Sequence, residues 1–145
     1  MAELLQADLA KIGVQANIVS YEWNTFRRKL RAGEHDSVLI GWTADNADPD
    51  NFLRPLLSCA AAISGSNRTN WCDPQYDKFI ADAVLTADIS ERKALYYQAQ
   101  QYVAEQVPLV PIAHSRRFQV KQNKITGLVI NPYGGISFTA AGKKP

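Results

Sequence analysis

An acidic turn that directly follows an apolar run is the part of this sequence best suited to chemistry. Residues 37–43 form a short apolar run with a β-branched Val and Ile, a pattern typical of a strand buried on both faces. Such a strand would present Trp42 and Asp45 at its carboxyl end, the edge of an open α/β sheet where ligands bind. We therefore predict a ligand site at the acidic turn, residues 44–50.

Two further carboxylates, Asp48 and Asp50, lie in the same turn. Asp48 and Pro49 have the order of an N-cap and a first helical residue, so a helix is expected to start here, with acidic side chains that match its dipole. Three carboxylates also suggest calcium, but Pro49 intervenes, and the glycine and distal glutamate of a helix-loop-helix calcium site are missing. We predict neither a metal nor a cofactor.

Enzyme motifs are missing from the sequence. It has no serine elbow, no phosphate-binding loop and no acidic pair flanked by a base. The string Ala113-His114-Ser115 comes nearest to a catalytic motif, but it follows an apolar run and is better explained as a hinge or the end of a strand. We predict that the chain is not an enzyme.

Size and charge limit the classes of partner. A chain of 145 residues with 46% hydrophobic content can bury one core. Its net charge of +2 is too small to indicate binding to nucleic acid or a membrane surface, and no apolar run approaches transmembrane length. The N-terminal residues are acidic and lack the apolar core of a signal peptide. We expect no nucleic-acid partner and no direct insertion into a membrane.

Periodic patterns predict alternating helices and strands before the turn. An apolar stripe at helical spacing ends at Gly13 and predicts a first helix, and the alternating residues 14–21 predict a strand. Residues 22–31 have an apolar face and a basic face and predict a second helix. The order helix, strand, helix, strand up to Thr43 is typical of an α/β layer with parallel strands.

After the turn, the sequence predicts helices and then short strands. Pro55 lies in an apolar run, so its helix is expected to be short or kinked. Asp73-Pro74 and the pair Asp88 and Glu91 are start signals for two antiparallel helices. Three later segments are strand candidates: residues 109–113, which Pro111 makes an edge strand or a hinge, and residues 118–121 and 128–130.

Cys59 and Cys72 enclose a short polar segment rich in Ala, Ser, Gly and Asn. A disulfide between them would tie this segment, and closing a loop of this length stabilises a fold by about 3 kcal/mol. Two free thiols are the alternative, and the spacing alone leaves both open. Neither His35 nor His114 lies at zinc-ligand spacing from the cysteines, so no zinc site is predicted.

The segment GWTADNADPDNF, from Gly41 to Phe52, resembles the signature of the bacterial periplasmic peptide-binding proteins that supply ABC importers (family 5). It is most similar to the dipeptide-binding branch, and the resemblance extends from Ala2 to about Phe138. It covers roughly the C-terminal third of such a protein, so this chain looks like a fragment. The implied fold class is α/β, as part of the C-terminal lobe of a two-lobed, periplasmic-binding-protein-like (type II) fold.

The resemblance also implies a division of the chain. Residues 1–115 would form part of the C-terminal ligand-binding lobe, and residues 116–145 a tail that returns to the N-terminal lobe. Because that lobe lies outside this chain, we expect residues 118–145 to be poorly ordered or to pair with something foreign.

The resemblance implies a role for several side chains. Asp45 matches the aspartate that accepts the α-amino group of the peptide. The strand segment Gly41, Trp42 and Thr43 would pair with the peptide backbone by strand addition, and Trp42 would supply a flat apolar wall. The arginine that binds the peptide carboxylate lies upstream of this chain in relatives, and Arg68 is a conceivable substitute.

The implied function is the substrate-binding component of an ABC transporter for dipeptides or short peptides, in the periplasm, with the transporter permease as a partner. Relatives carry a disulfide at positions matching Cys59 and Cys72, which favours an oxidising compartment. The alternatives are a same-family receptor for antimicrobial peptide or haem, and a permease-docking module without ligand binding of its own. We expect the fragment alone to bind dipeptide weakly, because half of the clamp and the opposing lobe are missing.

Overall fold

Helices make up most of the regular structure, and the strands of the described residues are short and near the C-terminus. The structure is a computed structural model that describes residues 1–114, 116 and 118–144. These residues form two units, 1–41 and 42–145. The elements are α1 (Ala2–Lys11), α2 (Trp23–Arg31), α3 (Asp50–Leu57), α4 (Cys59–Ser64), α5 (Pro74–Leu85), α6 (Ile89–Gln106), β1 (Ile125–Thr126), β2 (Val129–Ile130), β3 (Ile136–Ser137) and β4 (Gly142–Lys143).

The first unit contains the two helices predicted for it. Gly13 follows α1 with a φ of +80°, a conformation that glycine adopts without strain and that ends the helix. Glu22 caps α2, because its carboxylate accepts hydrogen bonds from the N–H groups of Asn24 and Thr25 at 2.9 and 3.2 Å. Both helix predictions are confirmed.

The two strands predicted before the turn are wrong for this chain. Residues 14–21 and 37–43 form no strand, and neither is part of a ladder among the described residues. Leu39 and Ile40, expected to be buried, are 46% and 49% exposed. Alternating or apolar patterns indicate which side chains tend to be buried. A strand also needs a neighbouring backbone segment with which to form hydrogen bonds. The predicted layer of parallel strands is therefore not formed within the described part of the chain.

The second unit begins with α3, whose predicted start is displaced by one residue. Pro49 occupies the capping position with helical φ and ψ angles, and the carboxylate of Asp48 accepts a hydrogen bond from the N–H of Asp50 at 2.9 Å. Pro55 lies inside α3, which ends after eight residues. The prediction of a short helix around Pro55 is confirmed.

The start signals of α5 and α6 are also confirmed. The carboxylate of Asp73 accepts hydrogen bonds from the N–H groups of Gln75 and Tyr76 at 2.7 and 3.4 Å. Asp88 accepts one from the N–H of Glu91 at 2.8 Å. Both aspartates thus satisfy amide groups that a helix start leaves without intrahelical partners. No helix in the described ranges combines the length and the apolar character needed to cross a bilayer.

The core of the second unit lies where α3, α5 and α6 pack together. Tyr76 is fully buried, and its hydroxyl donates a hydrogen bond to the backbone oxygen of Leu53 at 2.9 Å. Burial raises the pKa of Tyr76, so its hydroxyl keeps its proton. The buried apolar cluster consists of Leu53, Leu57, Tyr76, Ile80, Ala83, Tyr96 and Ala99.

A disulfide joins Cys59, at the start of α4, to Cys72, just before α5, with their Cα atoms 4.5 Å apart. The loop between them is organised by Asn67, whose side chain is buried. The amide of Asn67 donates to the backbone oxygens of Ser58 and Trp71 at 3.2 and 2.9 Å. The pairing implied by the resemblance is confirmed.

The C-terminal tail forms two short antiparallel ladders, β1 with β4 and β2 with β3. The strand predicted at residues 128–130 is confirmed in part by β2, whereas residues 109–113 and 118–121 form no strand. The four strands pair with each other, so for them the expectation of a foreign pairing partner is wrong. Ser115 of the catalytic-looking string and Pro145 of the tail lie outside the described residues.

We predict that packing of α5 sets the stability of the second unit. Ile80 is 1% exposed and Leu85, on the same helix, is 85% exposed. Ile80→Ala should lower the free energy of unfolding by about 2 to 5 kcal/mol through a cavity in the core. The matched control Leu85→Ala should change it by less than about 0.5 kcal/mol. Urea unfolding measures both, and equal effects would contradict this core.

We predict that reducing the disulfide destabilises the chain by about 3 kcal/mol, because the open loop gains conformational freedom in the unfolded state. Urea unfolding with and without a thiol reductant measures this difference. The Cys59→Ala, Cys72→Ala double variant is the control and should not respond to the reductant. A reductant effect of the same size in that variant would exclude the disulfide as its cause.

Candidate functional site

Asn51, in the first turn of α3, connects two of the predicted ligand-binding residues. Its side-chain oxygen accepts a hydrogen bond from the backbone N–H of Asp45 at 2.7 Å. Its backbone oxygen accepts one from the indole Nε1 of Trp42 at 3.0 Å. The structure therefore brings Trp42 and Asp45 together around one residue of the helix that follows them. Trp42 is 38% exposed, so part of the ring still faces solvent.

The other two predicted ligand-binding residues are Gly41 and Thr43, which lie on either side of Trp42 in the sequence. Both are exposed, and Gly41 belongs to the first unit whereas Thr43 belongs to the second. Apart from its two chain neighbours, no described residue has an atom within 4 Å of the place where a Cβ at Gly41 would lie, so no such contact demands glycine there. Backbone pairing of this segment with a peptide stays a prediction.

Asp48 is held by an ion pair with Arg92 of α6. The guanidinium Nη2 lies 2.9 and 2.7 Å from the two carboxylate oxygens of Asp48. Arg92 also donates to the backbone oxygen of Ala83 at 3.1 Å and to the hydroxyl of Tyr96 at 3.1 Å. One arginine thus ties the acidic turn to α6 and to the C-terminal part of α5.

The ion pair shifts the acid–base equilibria of both partners. The hydrogen bond from Arg92, followed by the one from the N–H of Asp50, lowers the pKa of the Asp48 carboxyl. The hydrogen bond to Asp48 raises the pKa of Arg92. Asp48 is consequently ionised near neutral pH and already neutralised within the protein.

Asp50 has a cation of its own within α3. The Nε atom of Arg54 lies 2.9 and 3.0 Å from the two carboxylate oxygens of Asp50, one helical turn away. Asp50 also lies in the first turn of α3, where a negative charge is favoured by the helix dipole. Asp50 therefore has the role at the helix start predicted for it, whereas Asp48 precedes the N-cap residue instead of occupying that position. Both have arginine partners that the sequence analysis missed.

Asp45 differs from the other two carboxylates of the turn. It is exposed, and its backbone N–H is held by Asn51. Its carboxylate makes no hydrogen bond and no ion pair with any residue that the structure describes. Of the three acidic side chains, this one remains available to a cation from outside.

In the described part of the chain, the two arginines at the turn are already paired with Asp48 and Asp50. Among the residues with described positions, no group of three or more His, Cys, Asp or Glu side chains is arranged to hold a metal ion. Arg68, considered as a substitute cation, donates to the backbone oxygen of Asn67 at 3.3 Å in the cysteine loop. An open depression of 270 Å³ beside the turn has walls that include the paired groups Asp48 and Arg92.

Asn51 and Arg92 are residues of the candidate site that sequence reasoning missed. Asn51 lies inside the GWTADNADPDNF segment, but the segment does not tell which backbone groups its amide reaches. Arg92 had a usable signal: it lies in the first turn of α6, where a positive charge opposes the helix dipole. An acidic partner would offset this unfavourable interaction.

Comparison with known proteins places this chain beside peptide-binding proteins. The family model "Bacterial extracellular solute-binding proteins, family 5 Middle" matches residues 1–64. Di/tripeptide-binding protein 4 of Pseudomonas aeruginosa (strain UCBPP-PA14) is 47% identical over 144 residues, covering 99% of this chain and 27% of that protein. The dipeptide-binding protein of Pseudomonas aeruginosa strain PAO1 is 46% identical over 145 residues, covering 100% of this chain and 27% of that protein.

A solved structure is also similar to this chain. The crystal structure of a dipeptide-binding protein from Pseudoalteromonas sp. SM9913 in complex with Met-Leu matches with a TM-score of 0.93 and 52% sequence identity. The match covers 99% of this chain and 28% of that one. This chain therefore spans little more than a quarter of the length of the proteins it matches.

We predict that the ion pair of Asp48 makes stability depend on pH in the acidic range. The native pKa of Asp48 is lowered, so its contribution is complete above the unfolded-state value of about 3.9 and is lost as the pH falls through the native value. The free energy of unfolding should fall over this range, and less steeply in Arg92→Met. Urea unfolding at a series of pH values measures the slope.

Lys93→Met is the matched control for this prediction, because it removes the same charge from the next position of α6, an exposed one. It should keep the wild-type slope. A wild-type slope in Arg92→Met would show that this ion pair does not control the protonation of Asp48.

Proposed function

Because the chain belongs to family 5 of the bacterial extracellular solute-binding proteins, we propose that it forms part of the ligand-binding lobe of a substrate-binding protein of an ABC importer for dipeptides or short peptides. The predicted fold class, part of a type II periplasmic-binding-protein-like fold, is confirmed by the likeness to the solved structure. The ligand is proposed from the similarity to dipeptide- and tripeptide-binding proteins and from the geometry of the acidic turn.

The free carboxylate of Asp45 is the observation that carries this proposal. A short peptide has an ammonium at one end, and removing that charge from water is costly unless a fixed negative group meets it. Asp48 and Asp50 are neutralised by Arg92 and Arg54, whereas Asp45 is exposed and has no partner among the described residues. Asp45 is therefore the residue of the turn that accepts the α-ammonium of the ligand.

The neighbouring residues supply contacts that do not depend on the ligand's side chains. The backbone of residues 41–43 pairs with the peptide backbone by strand addition, which leaves the peptide sequence free to vary. The exposed part of the Trp42 ring provides an apolar wall, and its indole N–H is already bonded to Asn51. The cation for the peptide carboxylate comes from a part of the binding protein that this chain does not contain.

The setting of the protein follows from the same family. We place it in the periplasm, where a disulfide such as Cys59–Cys72 persists, and we take the transporter permease as its protein partner. Members of the family are solute-binding proteins, and the chain has no catalytic activity of its own in this proposal. Metal and cofactor have no role in it.

We predict that Asp45→Asn weakens dipeptide binding by about ten- to a hundredfold, the range for losing a hydrogen bond between charged groups. The measurement is calorimetry of the full-length protein that contains this chain. Asp50→Asn is the matched control: it removes the same charge from the same turn, but its carboxylate is paired with Arg54. The control should stay within about twofold of wild type.

The ligand provides a second test of the same contact. An N-acetylated dipeptide lacks the ammonium, so wild type should bind it more weakly than the free dipeptide, and Asp45→Asn should no longer distinguish the two. Titrations with a tripeptide and with haem identify the ligand class. Dipeptide affinity in Asp45→Asn within about twofold of wild type would overturn the role given to Asp45.

A further inference from the structure

Trp42 and Asp45, two of the predicted ligand-binding residues, both donate a hydrogen bond to Asn51, each to a different atom. The side-chain oxygen of Asn51 accepts from the N–H of Asp45 at 2.7 Å, and the backbone oxygen of Asn51 accepts from the indole of Trp42 at 3.0 Å. We propose that Asn51 is the positioning residue of the ammonium site: its side-chain oxygen sets the orientation of Asp45. This inference rests on the proposed function, because it assumes that Asp45 receives the ligand's ammonium.

Asn51 is itself held in place on its helix side. Its N–H donates to the backbone oxygen of Asp48 at 3.0 Å, and Asp48 is fixed by the ion pair with Arg92. Its side chain is half-buried at the start of α3. The hydrogen-bond acceptor that meets Asp45 is therefore anchored to the helical part of the second unit and does not move freely with the turn.

The contact limits the directions in which the carboxylate of Asp45 can point. A backbone N–H that must face Asn51 restricts the peptide plane before Asp45, and with it the direction of the bond from Cα to Cβ. Without this restriction an exposed residue in a turn samples many orientations, and only some of them place the carboxylate at the ammonium.

The two contacts of Asn51 respond differently to substitution. Any residue at position 51 keeps a backbone oxygen for Trp42, whereas only a side chain with a suitably placed oxygen keeps the contact with Asp45. Asn51→Ala therefore removes the positioning of Asp45 and leaves the partner of Trp42 in place. Asn51→Asp keeps the acceptor and should restore the positioning.

Asn46 offers a matched control in the same turn. Its side-chain oxygen accepts from the N–H of Asp48 at 2.9 Å, so it makes the same kind of bond but to a different residue. Asn46→Ala removes an equivalent local hydrogen bond without touching the bond to Asp45. A general loosening of the turn would affect both variants, whereas positioning of Asp45 by Asn51 affects one.

The experiment measures calorimetric affinities of the full-length protein for a dipeptide and for its N-acetylated form. Asn51→Ala should weaken binding of the free dipeptide by about fivefold, the factor for one neutral hydrogen bond. It should leave the affinity for the acetylated form within about twofold, because that ligand has no ammonium to be placed. Asn51→Asp should recover the wild-type preference for the free dipeptide, and Asn46→Ala should keep it.

A double variant separates positioning from general stability. If Asn51 acts through Asp45, Asn51→Ala should add less than about twofold to the loss caused by Asp45→Asn. If the two substitutions instead weaken binding independently, so that their fold-losses multiply in the double variant, the inference is overturned while the role of Asp45 stands. The same holds if Asn51→Ala weakens binding of the free and the acetylated dipeptide equally. No effect of Asp45→Asn itself would instead overturn the proposed function. Thermal unfolding shows whether each variant folds. If Asn51→Ala does not fold, the test falls to Asn51→Asp: equal affinities of this variant for the free and the acetylated dipeptide would overturn the inference.

Discussion

The ion pair between Arg92 and Asp48 is the contact on which the geometry of the acidic turn depends. Hydrogen bonds within the turn hold its shape, but they do not attach it to α5 and α6. Arg92 makes that attachment, since it reaches Asp48 across 44 positions of sequence and also bonds the Ala83 backbone and Tyr96. Arg92 thereby fixes the acidic turn to the helical core that contains Tyr96.

Three aspartates within six residues have three different electrostatic environments. Asp48 is neutralised by Arg92, Asp50 by Arg54, and Asp45 is exposed with no partner in the described ranges. A paired carboxylate contributes to folding and has little attraction left for a ligand, whereas an unpaired one contributes nothing to the core and attracts a cation. The positions of Arg92 and Arg54 therefore decide which aspartates of the turn are neutralised and which one is left to attract a cation.

The success of sequence reasoning differed between helices and strands for a physical reason. Caps such as Asp73 and Asp88 act on amide groups two or three residues away, so the residues that decide a helix start are all visible in a short window. Strands at residues 14–21 and 37–43 require a neighbouring backbone, which no local pattern contains. The apolar pattern was real, but neither segment pairs with another backbone segment among the described residues.

The sequence by itself determined helices α1, α2, α3, α5 and α6, the caps of α5 and α6, the likeness to peptide-binding proteins and the short list of acidic residues from which Asp45 was chosen, whereas it did not predict α4. Only the tertiary structure decided, without reference to relatives, that the two cysteines form a disulfide, and only it decided which carboxylate stays free. The cause is the same in both cases: a cysteine 13 positions away and an arginine 44 positions away become neighbours through folding. Helix caps depend on residues that are adjacent in the sequence. The neutralisation of a charge depends on which distant residue the fold brings within hydrogen-bond distance.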